Sequence, residues 1–191
     1  MIHDVASLEA EIQRLREGVD ASLVPPVLSR FVVELEREAG EYSDELKKVL
    51  DAALNLGITE DFEGEDVPVD TLSPWFVEVS SEAPTKAPPP ALRGRSQYLS
   101  HITSGPWQLQ DWLYRFCPEE ESRGWAWWDL TSPAAGVVHI WVDSWGEDFF
   151  GCDDLRWLAY TAGASRLSGP ELHNAERWLQ EHRADENGDA R

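Results

Sequence analysis

The chain is short of the residues that mark many enzyme and metal sites. It has two cysteines, Cys117 and Cys152, and neither belongs to a Cys-x-x-Cys pair. Phosphate-binding glycine loops, dinucleotide fingerprints, His-Glu-x-x-His motifs and Gly-x-Ser-x-Gly elbows are also missing from the sequence. The enzyme classes that depend on those motifs therefore lose support, and we expect no cofactor and no bound metal. Nothing in the sequence marks secretion, which favours reduced, buried thiols.

Long apolar runs are absent as well. No stretch approaches the roughly 20 apolar residues that a membrane-spanning helix needs. The N-terminal segment MIHDVASLEAEIQRL is acidic and amphipathic, and it lacks the basic start and apolar middle of a signal peptide. These features predict a cytoplasmic protein without a membrane contact.

Basic residues are scarce and unevenly placed. The chain carries 36 acidic against 16 basic side chains, and no Lys or Arg occurs between Val49 and Thr85. Proteins recognise nucleic acids and anionic lipids by neutralising phosphate with Lys and Arg, so direct nucleic-acid binding is disfavoured. A negative surface instead speeds association with a basic protein, and solubility alone is the simpler interpretation of the same charge.

Tryptophan, in contrast, is abundant. Eight of the ten tryptophans lie between Trp107 and Trp157. An indole buries roughly 150–250 Å² and usually needs one hydrogen bond for its N–H group. The cluster therefore predicts either a dense aromatic core or a protein-binding surface.

Hydrophobic periodicity predicts a helical unit over residues 1–57. Three helices are expected: residues 4–19, a helix that opens at Pro25 and ends near Gly40, and a helix from Ser43 to Gly57. Residues 58–93 follow as an acidic loop, a short strand at Trp75–Val79 and a proline-rich linker.

A tryptophan-rich α+β domain is predicted for residues 94–184, followed by a polar tail over 185–191. Gly124–Leu130 and Val137–Trp145 have strand character and are expected to form a hairpin. Asp153 begins a helix, and the capping box at Ser168 predicts the last one. The expected fold class is α+β: an N-terminal helical unit plus a small antiparallel β-sheet (hairpin 124–145) packed by C-terminal helices.

Alternation along the hairpin divides its side chains between two faces of the sheet. The simplest register places the aliphatic residues of 137–142 and Trp128 in the core, and a one-residue slip would exchange the faces of the first strand. The second face is either open for binding or covered as another core layer. The candidate binding residues are Trp125, Trp127, Trp141, Trp145 and, in the acidic loop, Glu63, Glu65 and Asp66.

The catalytic candidates are weaker. His139 and Asp143 share one face of a strand, but four residues in a strand span roughly 13 Å, so an acid–base pair would need a further partner. Cys152 precedes a predicted helix N-terminus, which can lower a thiol pKa. A structural histidine and a buried cysteine are the alternative interpretations.

The sequence favours a non-catalytic acidic protein-binding module that masks a basic partner. In size, acidity and aromatic content the chain is similar to inhibitor and immunity proteins that neutralise basic toxins, although no motif extends the analogy to individual residues. Two alternatives remain: a small hydrolase-like enzyme using His139 and Asp143, and a structural or regulatory subunit that forms homo-oligomers through its N-terminal helix.

Overall fold

The computed structural model describes residues 3–64 and 66–188, which form seven α-helices and one four-stranded antiparallel sheet. This architecture confirms the α+β prediction. The helices are α1 (Val5–Glu17), α2 (Ala39–Thr59), α3 (Pro74–Val79), α4 (Pro89–His101), α5 (Leu109–Tyr114), α6 (Asp153–Thr161) and α7 (Ala175–Gly188). The strands are β1 (Val27–Leu35), β2 (Ala126–Ala134), β3 (Val137–Asp143) and β4 (Ala164–Asn174).

The predicted hairpin is present, and β2 pairs with β3 as expected. The strand order is β2-β3-β1-β4, so β1 lies at the centre and joins the hairpin to β4. Ala135 and Gly136 form the tight turn, where Gly136 has a φ of +71°. The Gly136 carbonyl accepts a hydrogen bond from Leu35 N at 2.8 Å, which ties the turn to the central strand.

The helix predicted between Pro25 and Gly40 is wrong, because this segment contains β1. Its apolar residues fit a helical spacing, but Phe31 and Val33 alternate with more exposed neighbours and point into the core. β1 forms ladders with β3 on one side and β4 on the other, so tertiary pairing decides its conformation. The predicted helical unit of residues 1–57 therefore includes a central strand.

Two proline-marked segments also differ from expectation. Trp75–Val79 is not a strand but belongs to α3, which buries Phe76 and Val79, three residues apart. The prolines after Pro88 do not form an extended spacer, since Pro89 and Pro90 occupy the first turn of α4. A proline fits a helix there because its missing N–H group has no helical partner to lose.

The helix predicted from the Ser168 capping box begins later, at Ala175. Ser168 to Asn174 instead extend β4 along the edge of β1. The ladder shifts register near Arg30, opposite Gly169, whose φ is +106°. A Cβ at Gly169 would stand 2.6 Å from the Arg30 carbonyl oxygen, so glycine permits this close approach.

Helix α1 packs on α2 and on the free edge of β2. Its Glu11 accepts a hydrogen bond from the Trp127 amide at 2.6 Å, and Arg14 donates to the Trp127 carbonyl at 2.7 Å. Two side chains of one helix thus bind the outward backbone groups of an edge strand.

The sheet buries both of its faces. The main core lies on one face, where Phe31, Val33 and the aliphatic residues of β3 pack with the helices, chiefly α2, α4 and α6. The opposite face holds a smaller cluster under α7, in which Leu28, Trp128, Trp141 and Trp178 are fully or almost fully buried.

Candidate partner-binding surface

Three of the four tryptophans predicted to bind a partner are buried. Trp125 and Trp127 belong to the main core, whereas Trp141 lies under α7 together with Trp128. The expected assignment of Trp127 and Trp128 to the two faces is therefore reversed. An irregularity in the β2–β3 ladder between Trp127 and Asp129 accompanies this exchange, and a shift of one residue moves a side chain to the other face.

Three of the buried indoles have hydrogen-bond partners within the fold. The Nε1 atom of Trp125 donates to the Asp154 carboxylate at 2.9 Å, and that of Trp141 donates to Thr131 Oγ1 at 3.0 Å. Trp178 donates to Asp129 in the same way. A polar group that is satisfied inside the fold does not need an external partner, so these indoles are core residues: Trp125 in the main core, and Trp141 and Trp178 in the smaller cluster under α7.

His139 and Asp143 are not brought together. His139 is buried, with its Nδ1 atom 2.7 Å from Glu181 Oε2 on α7. Asp143 lies at the end of β3, where Oδ1 accepts a hydrogen bond from Trp145 N at 2.8 Å. Burial raises the pKa of Asp143. The partner of His139 is thus a glutamate on α7, a helix distant in sequence. The pair links α7 to the sheet.

Cys152 is the N-cap residue of α6, and its thiol is buried and free. Burial raises the pKa of this thiol, against a smaller opposing effect of Arg156, whose Nε atom lies 3.4 Å from the sulfur. A raised pKa lowers the thiolate fraction, which is the reactive form. Cys117 is likewise free and buried, and its pKa is also raised by burial.

The acidic loop is exposed and anchored. The side chains of Glu63 and Asp66 face solvent, whereas Glu65 lies outside the described residues. Buried Val67 fixes the loop to α5, because its N–H and C=O groups both bind the Gln110 side chain at 3.1 Å. The loop therefore presents its carboxylates from a defined position beside α5.

Tyr114 joins the loop to the next acidic segment, and sequence reasoning missed it. Its ring meets Phe62 edge to face, with centroids 6.3 Å apart. Its hydroxyl donates a hydrogen bond to Glu120. This hydrogen bond stabilises the protonated hydroxyl and raises the pKa of Tyr114 to about 12. The spacing of α5 contained this information, since burial of Trp112 and Leu113 turns Asp111 and Tyr114 outward.

We call this region the acidic surface. It surrounds a notch of about 170 Å³ between the loop and α5, with Phe62 and Tyr114 beside it. Arg115, which is tied to Asp154 at 3.1 Å, is the single basic residue in the segments 60–70 and 109–121. The exposed carboxylates of the acidic surface belong to Asp61, Glu63, Asp66, Asp111, Glu119 and Glu120.

About half of the 13 arginines are buried or half-buried. Seven are buried or half-buried and donate hydrogen bonds to carbonyl or carboxylate groups. Arg123, for example, is enclosed between the rings of Phe116 and Trp125, each 4.9 Å from its guanidinium carbon. The seven are Arg14, Arg30, Arg37, Arg95, Arg115, Arg123 and Arg156.

Within the described part of the chain, no group of three or more His, Cys, Asp and Glu side chains is arranged to hold a metal ion. None of the helices described is both long and apolar enough to cross a membrane. Comparison of the sequence and structure with known protein families, curated proteins and solved structures finds no match.

Proposed function

We propose that this protein is a non-catalytic binding module that captures and masks a basic protein partner, in the manner of an inhibitor or immunity protein. One observation carries the proposal: exposed carboxylates crowd the acidic surface, and its single basic residue, Arg115, is half-buried and paired with Asp154. Charges of one sign on an anchored surface steer an oppositely charged partner and raise its association rate.

The aromatic residues of the acidic surface strengthen this proposal. Exposed Tyr114 and half-buried Phe62 flank the notch, with Asp66 and Asp111 nearby. A Lys or Arg side chain gains from an aromatic face and from a carboxylate at the same time. Aromatic residues within a polar rim also supply most of the affinity in many protein interfaces.

The alternatives find less support. The hydrolase-like hypothesis lacks a joined pair, because His139 and Asp143 bind different partners. Oligomerisation through the N-terminal helix would need its apolar stripe, yet Leu8 and Ile12 are buried within the chain.

Binding of a synthetic decaarginine peptide, measured by calorimetry at low and high salt, tests the proposal. The double variant Glu63→Lys/Asp66→Lys is compared with the control Glu9→Lys/Glu176→Lys. Both variants change net charge equally, and the control carboxylates are exposed on α1 and α7. We expect about tenfold weaker binding and a smaller salt dependence for the first variant only. Equal losses in both variants would mean that no localised surface exists.

A further inference from the structure

Phe149 is the most exposed large apolar side chain among the described residues. It is 93% exposed, whereas the next, Leu23, is 72% exposed. Burial of a phenylalanine side chain is favourable, and Phe149 lacks this stabilisation in the free protein. The loop over residues 144–151 that carries it also exposes Trp145, at 43%.

This loop has a defined conformation. Glu147 N donates to the Ser144 carbonyl at 3.0 Å, and the intervening Trp145 and Gly146 have φ angles of +53° and +80°. Those signs are typical of a type I′ turn. The buried Ser144 hydroxyl lies 2.8 Å from Ser29 Oγ on the central strand, and it also donates to Glu147 O. Phe149 is therefore exposed on a loop that is anchored to the central strand.

A cleft of about 580 Å³ opens beside Phe149. Its size is in the range of clefts that enclose small molecules. We call it the Phe149 cleft. Its apolar wall consists of Ile102, Trp107, Phe149, Phe150 and Pro170.

The charges at the cleft favour a cationic occupant. Exposed Asp148 lines the cleft, and exposed Glu147 directly precedes it in the chain. The arginines that line the cleft are already engaged: Arg115 pairs with Asp154, and Arg156 donates to the Gly169 carbonyl. A partner approaching from solvent therefore meets carboxylates first and an apolar wall behind them.

The cleft adjoins the acidic surface. Arg115 directly follows Tyr114 in the chain and also lines the Phe149 cleft. Its guanidinium group lies close to Gly151, since a Cβ at that glycine would stand 3.5 Å from the Arg115 nitrogen. Arg115 therefore links the two regions.

We propose that the Phe149 cleft anchors the basic partner of the proposed function. An apolar side chain of the partner packs against Phe149 and the wall of the cleft, and its neighbouring cations pair with Glu147 and Asp148. The inference rests on the proposed function and deepens it: the acidic surface speeds association, and the cleft slows dissociation and selects cations that flank an apolar residue.

Two synthetic peptides of equal length and charge separate these roles: one alternates Arg with Leu, and the other alternates Arg with Gly. Each is titrated into the unmodified protein, Phe149→Ala and the control Leu23→Ala, which also truncates an exposed apolar residue. We expect the Arg-Leu peptide to bind at least tenfold more tightly than the Arg-Gly peptide. Phe149→Ala should remove that difference, and Leu23→Ala should preserve it.

Thermal melting of both variants accompanies the titrations, because truncation of an exposed side chain should leave the melting temperature unchanged. If the peptides bind equally, or if both variants behave alike, the anchor is overturned. The proposed function is then judged separately by how the Arg-Gly peptide responds to Glu63→Lys/Asp66→Lys. If neither peptide binds, both proposals are wrong.

Discussion

Glu11 on α1 and Arg123 in the segment before β2 form a bidentate ion pair that is buried. The Nη1 atom of Arg123 lies 2.9 Å from Glu11 Oε2, and both side chains are at most 1% exposed. The same Glu11 oxygen accepts the Trp127 amide. The pair therefore connects the first helix to the start of the hairpin.

Removing one partner of this pair should be costly. Glu11→Ala leaves the Arg123 guanidinium buried without its counter-ion, and we expect a loss of about 3–5 kcal/mol in the free energy of unfolding. Urea denaturation measures it. The control is Asp51→Ala, since Asp51 pairs with exposed Arg16 and should contribute less than about 1 kcal/mol. A similar small loss in both variants would show that Arg123 regains water.

His3 should make stability depend on pH below neutrality. Burial, assisted by the nearby Arg123 charge, lowers the pKa of His3 to about 4. The unfolded chain binds this proton near pH 6.5 and the folded chain does not, so stability is lost as pH falls from about 6.5 to 4. Between pH 7 and pH 4, the stability advantage of the unmodified protein over His3→Gln should shrink by about 2–3 kcal/mol. Urea titrations at both pH values check this, and an unchanged difference would contradict it.

Gly94 should tolerate no side chain. It lies where α4 crosses α6, and an added Cβ would stand 1.8 Å from the Tyr160 carbonyl oxygen. Gly94→Ala should therefore cost about 3 kcal/mol through forced separation of the helices. Gly40→Ala in α2 is the matched control, because no atom lies within 4 Å of its added Cβ. That change should be neutral or stabilise by up to about 1 kcal/mol, as measured by melting temperature.

Trp141 should matter for folding, whereas the acidic loop should not. Trp141→Ala removes a fully buried indole and leaves a cavity, for an expected cost of about 3–5 kcal/mol in urea denaturation. The Glu63→Lys/Asp66→Lys variant should unfold at nearly the same urea concentration as the unmodified protein, because both side chains are exposed. A stable Trp141→Ala protein would mean that α7 does not keep this indole covered.

The sequence predicted the elements whose patterns are local. Dense aromatic and β-branched residues indicated the hairpin, and apolar spacing indicated α1 and α6. β1 was not predicted because Leu28, Phe31 and Leu35 also fit a helical spacing. Its strand conformation depends on pairing with β3 and β4. β4 was not predicted because much of this edge strand is polar, including Glu171 and His173.

The candidate site was also predicted only in part. Charge counting located the acidic loop, and the exposure of Glu63 and Asp66 agrees with it. The tryptophans could not be assigned from sequence, since an irregularity in one ladder decides which face each occupies. The spacing of α5 indicated the outward position of Tyr114, whereas Phe149 is a single exposed aromatic in a loop, where no periodicity would reveal it.

The contacts of Glu11 and Arg14 with Trp127 have a further consequence for solubility. β2 is an edge strand, and an uncovered edge offers its amide and carbonyl groups to a strand of another molecule. Here a carboxylate and a guanidinium take the place of that strand at Trp127. Helix α1 thus protects this strand from edge-to-edge aggregation. A chain shortened to remove α1 would be prone to self-association along β2.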